Sequence, residues 1–204
     1  MELNLALIAH ILAETKPGVD RSMSHGAQYY IERANQRART INTLLWDKDA
    51  MSWKDFIMEN DSISNGKLSN QTTPANYVPI WGACGPESLT LEHECLFNSS
   101  DMQLANEVLS SLNSSQLWQA GGVVTSFKDT GQQWDKPNSW APLNHWLIEG
   151  IRKIKGIDYA KSFAKHLASR WLRSNFIGFL ENNGTMFEKY NAYNPGKVRN
   201  PKHV

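Results

Sequence analysis

The sequence predicts an all-α architecture, and three observations carry that prediction. Apolar residues recur at helical spacing in five separate stretches of the 204-residue chain. The segments between them are polar or tryptophan-rich, with proline and glycine where a helix has to stop. No unit repeats with a fixed motif, which disfavours a regular solenoid and leaves helices packed in antiparallel pairs.

Leu3 to Thr15 carries Leu5, Ile8, Ile11 and Leu12 on one face and stops at Lys16-Pro17-Gly18. After Ser22 or Ser24 as N-cap, a second helix runs to about Trp46, with Tyr30, Ile31, Ala34, Ala38, Ile41, Leu44 and Leu45 as its stripe. Its opposite face, with Glu32, Arg33, Arg37 and Arg39, is read as solvated surface. Trp46 to Ile57 reads as a turn and an extended piece, and the Ser-, Asn- and Gly-rich stretch from Glu59 to Asn76 as a loop within one domain. Tyr77 to Pro86 is aromatic and Gly-rich. A third helix spans Asp101 to Trp118 with Leu104, Val108, Leu109 and Leu112 inward. A fourth, from about Pro142 to Lys155, presents Leu143, Trp146, Leu147 and Ile151 and ends at Gly156. The fifth runs from Asp158, taken as its cap, to about Asn182, with Phe163, Leu167, Trp171, Phe176 and Leu180 inward and Asn183-Gly184 as its stop. A toroid of such pairs, with loops converging at one end, would bring the 131–142 loop beside Glu188.

Composition narrows the function classes. With 41% hydrophobic and 20% charged residues, the chain is an ordinary globular domain or part of one. A net charge of +1 gives no footprint for nucleic acid or an anionic membrane. The longest apolar stretch, Leu3 to Ala13, is interrupted by Asn4 and His10 and falls short of the roughly 20 residues a spanning helix requires. Met1-Glu2 lacks the basic start and cleavage site of a signal peptide. Five Asn-x-Ser/Thr triplets, at Asn60, Asn70, Asn98, Asn113 and Asn183, exceed the roughly two to three that chance gives and favour lumenal or secreted ancestry, with the natural N-terminus lying further upstream. Cys84 and Cys95, with Glu92 and His93 nearby, lack the second ligand pair of a zinc site; a short disulfide loop and two free thiols both remain open. No metal or other cofactor is expected.

The richest stretch is Gly131 to Pro142, Gly-Gln-Gln-Trp-Asp-Lys-Pro-Asn-Ser-Trp-Ala-Pro. Pro137 and Pro142 bias the residues before them away from the α region, so it reads as an ordered loop leading into the fourth helix. Two indoles offer flat apolar faces, and Gln132, Gln133, Asp135 and Asn138 offer donors and acceptors; a polyhydroxylated ligand suits that inventory. A rigid bracket of buried tryptophans accounts for the composition equally well.

Gln133 to Pro142 resembles the second signature of the trehalases, inverting hydrolases of the (α/α)6 toroid class. Gly121-Gly122-Val123-Val124-Thr125-Ser126 and Thr130-Gly131-Gln132 are similar to that family's Gly-Gly-Val-Pro-Thr-Ser and Thr-Gly-Gln-Gln segments, with Val124 where proline is usual. Met186-Phe187-Glu188-Lys189-Tyr190-Asn191 resembles its Glu-Lys-Tyr segment. Glu2 to Leu7 and Leu45-Trp46-Asp47 also fit, so the likeness covers nearly the whole chain, residues 1–204, as a partial catalytic domain of about the second half of the toroid.

The resemblance implies hydrolysis of α,α-trehalose to two glucose units with inversion, by one acid that protonates the leaving oxygen and one base that activates water, about 6.5–9.5 Å apart. By residue match Glu188 is the general base. Gln133, Trp134, Asp135, Asn138 and Trp140 are the substrate-binding residues, with Trp140 as the aromatic wall and the others shaping the loop. The ligand is trehalose or glucose. The whole protein is expected to be secreted or anchored outside the cell.

The departures are equally specific. No Gly-Trp-Asp-Phe-Ser-Ser-Arg-Trp segment, which carries the general acid in the family, occurs in this sequence. The first signature, Pro-Gly-Gly-Arg-Phe, the arginine clamps and the Gly-Gly-Glu-Tyr run are missing too. The chain alone is therefore expected to be inactive, and to expose apolar helix faces that favour aggregation or a molten state. A non-catalytic fragment or pseudoenzyme that binds sugar or a partner chain is the alternative.

Overall fold

The computed structural model describes residues 27–59, 62–82, 99–154 and 156–198. The predicted Leu3–Thr15 helix and the Cys84, Glu92, His93 and Cys95 cluster lie outside the described residues, as do the side chains of Tyr30, Ile31, Ala34 and Ala38. Among the described residues lie four long helices and one helical turn: α1 (Ala27–Leu45), α2 (Pro79–Gly82), α3 (Ser99–Ser114), α4 (Ala141–Arg152) and α5 (Asp158–Glu181). A 3₁₀ turn at Pro74–Tyr77 precedes α2.

The core forms where the sequence pattern places it. Val108, Leu109 and Leu112 of α3, Leu147 and Ile151 of α4, and Phe163, Ala164 and Leu167 of α5 are buried in one cluster with Leu117, Val123 and Val124. Leu104, Ile41 and Leu45 pack against it partly buried. α4 packs as a hairpin partner against α5. The cap of α5 is Ile157, in extended backbone, and Asp158 is the first helical residue rather than the cap.

Three further expectations are corrected. The chain is not purely helical, because four two-stranded antiparallel pairs join the helices: β1 (Trp46–Asp47) with β2 (Ser52–Trp53), β3 (Phe56–Glu59) with β4 (Ser62–Leu68), β5 (Trp118–Gln119) with β6 (Gly122–Val123), and β7 (Asn138–Trp140) with β8 (Lys189–Asn191). The polar stretch read as loop contains β4, paired Phe56 to Leu68 and Ile57 to Lys67. A two-stranded hairpin can keep both polar sides in water, so Ser-Ile-Ser-Asn-Gly-Lys-Leu shows little of the alternation that marks a buried strand. Gly66 is required there, since a Cβ would lie 2.1 Å from the Phe56 ring.

The third correction concerns α5. Phe163 and Leu167 are buried, but Phe176 and Leu180 are each 62% exposed. Ser174 and Gly178 take the inward position instead. The Gly196 N–H donates to Ser174 Oγ at 3.0 Å, and a Cβ on Gly178 would sit 2.3 Å from the Tyr190 ring. Phe176 lies about 200° around the helix from Ser174 and so faces away.

Candidate functional site

Gly121 and Gly122 begin the site. The Gly121 N–H donates to Ala192 O at 2.6 Å, and a Cβ on Gly121 would meet Asn191 O at 2.4 Å. Gly122 has φ +131°, and its Cβ would fall 2.6 Å from Ser139 Oγ and 3.0 Å from both Asn144 Oδ1 and the Trp171 ring. Only glycine permits this approach of three segments. Val124, where the family pattern has proline, donates its N–H to Leu117 O at 2.8 Å, a bond proline cannot make.

Asn144 ties the segments together. Fully buried in α4, it accepts from Val123 N at 2.9 Å and donates to Ser139 Oγ at 2.9 Å and Trp140 O at 2.8 Å. In the sequence it is one polar residue within an apolar stripe. Asn144→Leu is expected to lower stability by about 3 kcal/mol or more, because a buried donor or acceptor left without its partner costs about 1–3 kcal/mol. Urea unfolding followed by tryptophan fluorescence reads the effect; an unchanged midpoint would make these bonds dispensable.

The 125–140 loop is braced from inside. Thr125 donates through both N–H and hydroxyl to Asn138 O, at 3.0 and 2.7 Å. Ser126 Oγ donates to Asp135 Oδ1 at 2.6 Å, and the Thr130 hydroxyl donates to the other carboxylate oxygen. The Ser126 bond first, then that of Thr130, holds the Asp135 carboxyl below its ordinary range, with Lys128 adding a smaller attraction. Gln133 O accepts from both Asn138 Nδ2 at 3.1 Å and Trp140 Nε1 at 2.9 Å. Asp135 and buried Asn138 thus use their side chains within the loop, while the Gln133 side chain is exposed.

Trp134 and Trp140 stack with ring centroids 4.3 Å apart and planes 7° from parallel. Trp140 is 5% exposed and Trp134 49%, so Trp134 presents the open aromatic face. Residues 138–140, read from sequence as loop, form β7 and pair with β8 in the register Asn138–Asn191, Ser139–Tyr190 and Trp140–Lys189. That pairing brings Glu188 beside the signature loop. Tyr190, fully buried against Trp171 and Phe187, accepts from the Phe187 N–H at 3.0 Å and fixes the turn before Glu188.

The result is a groove of about 630 Å³ lined by Trp134, Trp140, Ala141, Pro142, Trp171, Leu172, Asn175, Met186, Phe187 and Glu188. Of the predicted residues, Trp134, Trp140 and Glu188 line it; Gln133, Asp135 and Asn138 are not among its lining residues. Trp171 and Asn175, four residues apart on one face of α5, were not anticipated as site residues; their i, i+4 spacing beside the signature loop is the only sequence signal. Glu188 is exposed, and among the described residues its carboxylate has no hydrogen-bond or ion-pair partner. An accessible carboxylate beside flat aromatic surface can take a proton from water near a sugar ring. Among the described residues, no group of three or more His, Cys, Asp or Glu gathers as a metal site, and no helix is long and apolar enough to cross a membrane.

A sequence model of the trehalase family matches residues 1–202. A probable trehalase from Oryza sativa subsp. japonica is 32% identical over 204 residues, covering 97% of this chain and 33% of its own length. Trehalase from Homo sapiens is 33% identical over 175 residues, covering 85% of this chain and 26% of its own. The chain thus spans a third or less of these relatives. Among solved structures, neutral trehalase from Saccharomyces cerevisiae superposes with a TM-score of 0.68 at 19% identity, over 95% of this chain and 32% of that one. At that identity the likeness is one of fold.

Proposed function

The chain belongs to the trehalase family, and from that premise we propose that its groove is one wall of a site hydrolysing α,α-trehalose to glucose with inversion, in an (α/α)6 toroid of which this chain forms about the second half. The observation that carries the reading is the meeting in one groove of Glu188 with Trp134 and Trp140, residues far apart in the chain and joined by the β7–β8 pairing. In this reading a glucose ring lies on the indole platform. Glu188, open to water, draws a proton from the water that attacks the anomeric carbon from the face opposite the leaving sugar.

In this reading the partner acid comes from outside the described residues that line the groove. Glu188 is the sole carboxylate among the described residues lining the groove, and this favours the second reading, a non-catalytic sugar-binding piece, for the chain by itself. Three acceptor asparagines in described segments, Asn70, Asn113 and Asn183, are exposed, in keeping with a glycosylated protein outside the cell.

Proton NMR of trehalose turnover tests the proposal. A complete trehalase domain carrying this chain is expected to release one α- and one β-glucose per trehalose before mutarotation, and the isolated chain to release essentially none. Initial release of α-glucose alone would exclude inversion, and no release from the complete domain would exclude the trehalase reading.

A further inference from the structure

We propose that Lys189 is a positioning residue of the groove, its ammonium holding the two-indole platform in place from beside Trp140. The β7–β8 register sets Lys189 opposite Trp140, and residues directly opposite in an antiparallel pair share a face of the sheet. Lys189 Nζ lies 4.8 Å from the centroid of the Trp140 ring, over its face. Trp134 stacks on the same ring at 4.3 Å. Trp140 itself is only 5% exposed.

The chain neighbour of Lys189 is Glu188, a carboxylate of opposite charge. No ion pair between them forms among the described residues, and the half-buried ammonium goes to the indole instead. This has two consequences. The cation attracts the electron-rich ring face and restricts Trp140, and through the stack it restricts Trp134, whose open face lines the groove. The ammonium is also kept from neutralising the carboxylate. Trp140 itself is anchored at its edge by the bond from Nε1 to Gln133 O, so that edge and face are fixed by different groups. Lys189 thus acts on ligand through the indoles and not by touching it.

The functional half of the proposal rests on the sugar-site reading; the structural half does not, and the test separates them. Near-ultraviolet circular dichroism of a complete domain carrying the chain, with Trp134→Phe defining the contribution of the indole pair, is expected to lose more than half of that contribution in Lys189→Gln and to keep it in Lys189→Arg, whose guanidinium also stacks on indole. Lys189→Met serves as a second neutral variant. In a complete domain carrying the chain, Lys189→Gln is expected to raise KM for trehalose about 3- to 10-fold, the scale of about 0.5–1 kcal/mol for a partly exposed cation–π contact and somewhat above, with kcat within about twofold. A Lys189→Gln spectrum that superimposes on wild type overturns the proposal. So does a fall in kcat as large as the rise in KM, and so does loss of the fold in both neutral variants, which would make Lys189 a general structural residue. If the wild-type domain does not cleave trehalose, the sugar-site reading fails and the spectra still decide the role of Lys189.

Discussion

Glu188→Gln in a complete trehalase domain carrying this chain is expected to lower kcat/KM for trehalose by about 10²- to 10⁴-fold, the usual contribution of a positioned general base. The loss should appear in kcat with KM little changed, because glutamine keeps the shape and polarity of the side chain and removes only its ability to accept a proton. The structure makes this a clean experiment. The Glu188 carboxylate is exposed and bonds to nothing among the described residues, so the substitution leaves the 186–191 turn supported as before by Tyr190 and the β8 pairing. Circular dichroism and the melting temperature should match wild type. Activity within about threefold of wild type would remove Glu188 from the chemistry, and an equal fall in melting temperature would recast it as a structural residue. The contrast is with Asp135, the carboxylate nearest in sequence to the two indoles. Each of its oxygens accepts a bond within the loop, from Ser126 and Thr130, and it does not line the groove.

The same contrast shows what was legible from sequence and what was not. The helices of the core were readable because Val108, Leu109 and Leu112, or Leu143, Leu147 and Ile151, fall at helical spacing on one face and are all buried. The signature loop was readable as a motif, yet its polar residues could not be divided from the sequence. Asp135 and Asn138 are as suited in type to a sugar as to a loop brace, and only the geometry assigns them to the loop. Asn144 and Lys189 escaped for a related reason: a polar residue in an apolar stripe and a lysine beside a glutamate both have an ordinary surface reading. The β7–β8 pair escaped because each strand is three residues long, too short for a period to show. Phe176 and Leu180 were assigned to the wrong side of α5. Large apolar residues claim the core in any periodic reading, but where Tyr190 and Gly196 press against the helix only Ser174 and Gly178 are small enough to fit.

That last inversion leaves a physical debt on the opposite side of the helix, and it predicts how the isolated chain behaves. Leu172, Phe176, Phe179 and Leu180 are 65%, 62%, 41% and 62% exposed. They stand at i, i+4, i+7 and i+8, the spacing of a core-facing stripe. Monomeric proteins rarely leave such a contiguous apolar face in water, and the isolated chain is expected to self-associate through it. Full burial of a large apolar side chain contributes about 1.5–3 kcal/mol, so covering what remains exposed of Phe176 and Leu180 contributes about 2–4 kcal/mol, or one and a half to three orders of magnitude in an association constant. Phe176→Glu with Leu180→Glu should therefore shift the isolated chain from aggregates to monomer in light scattering, with helix content retained because both changes lie away from the Ser174 and Gly178 face. In a complete domain the sign reverses. If the rest of a trehalase domain covers this face, the same pair of glutamates buries two charges against apolar helices and should cost several kcal/mol of stability. A double variant that leaves both the association of the chain and the stability of the complete domain unchanged would mean that the stripe faces water in both.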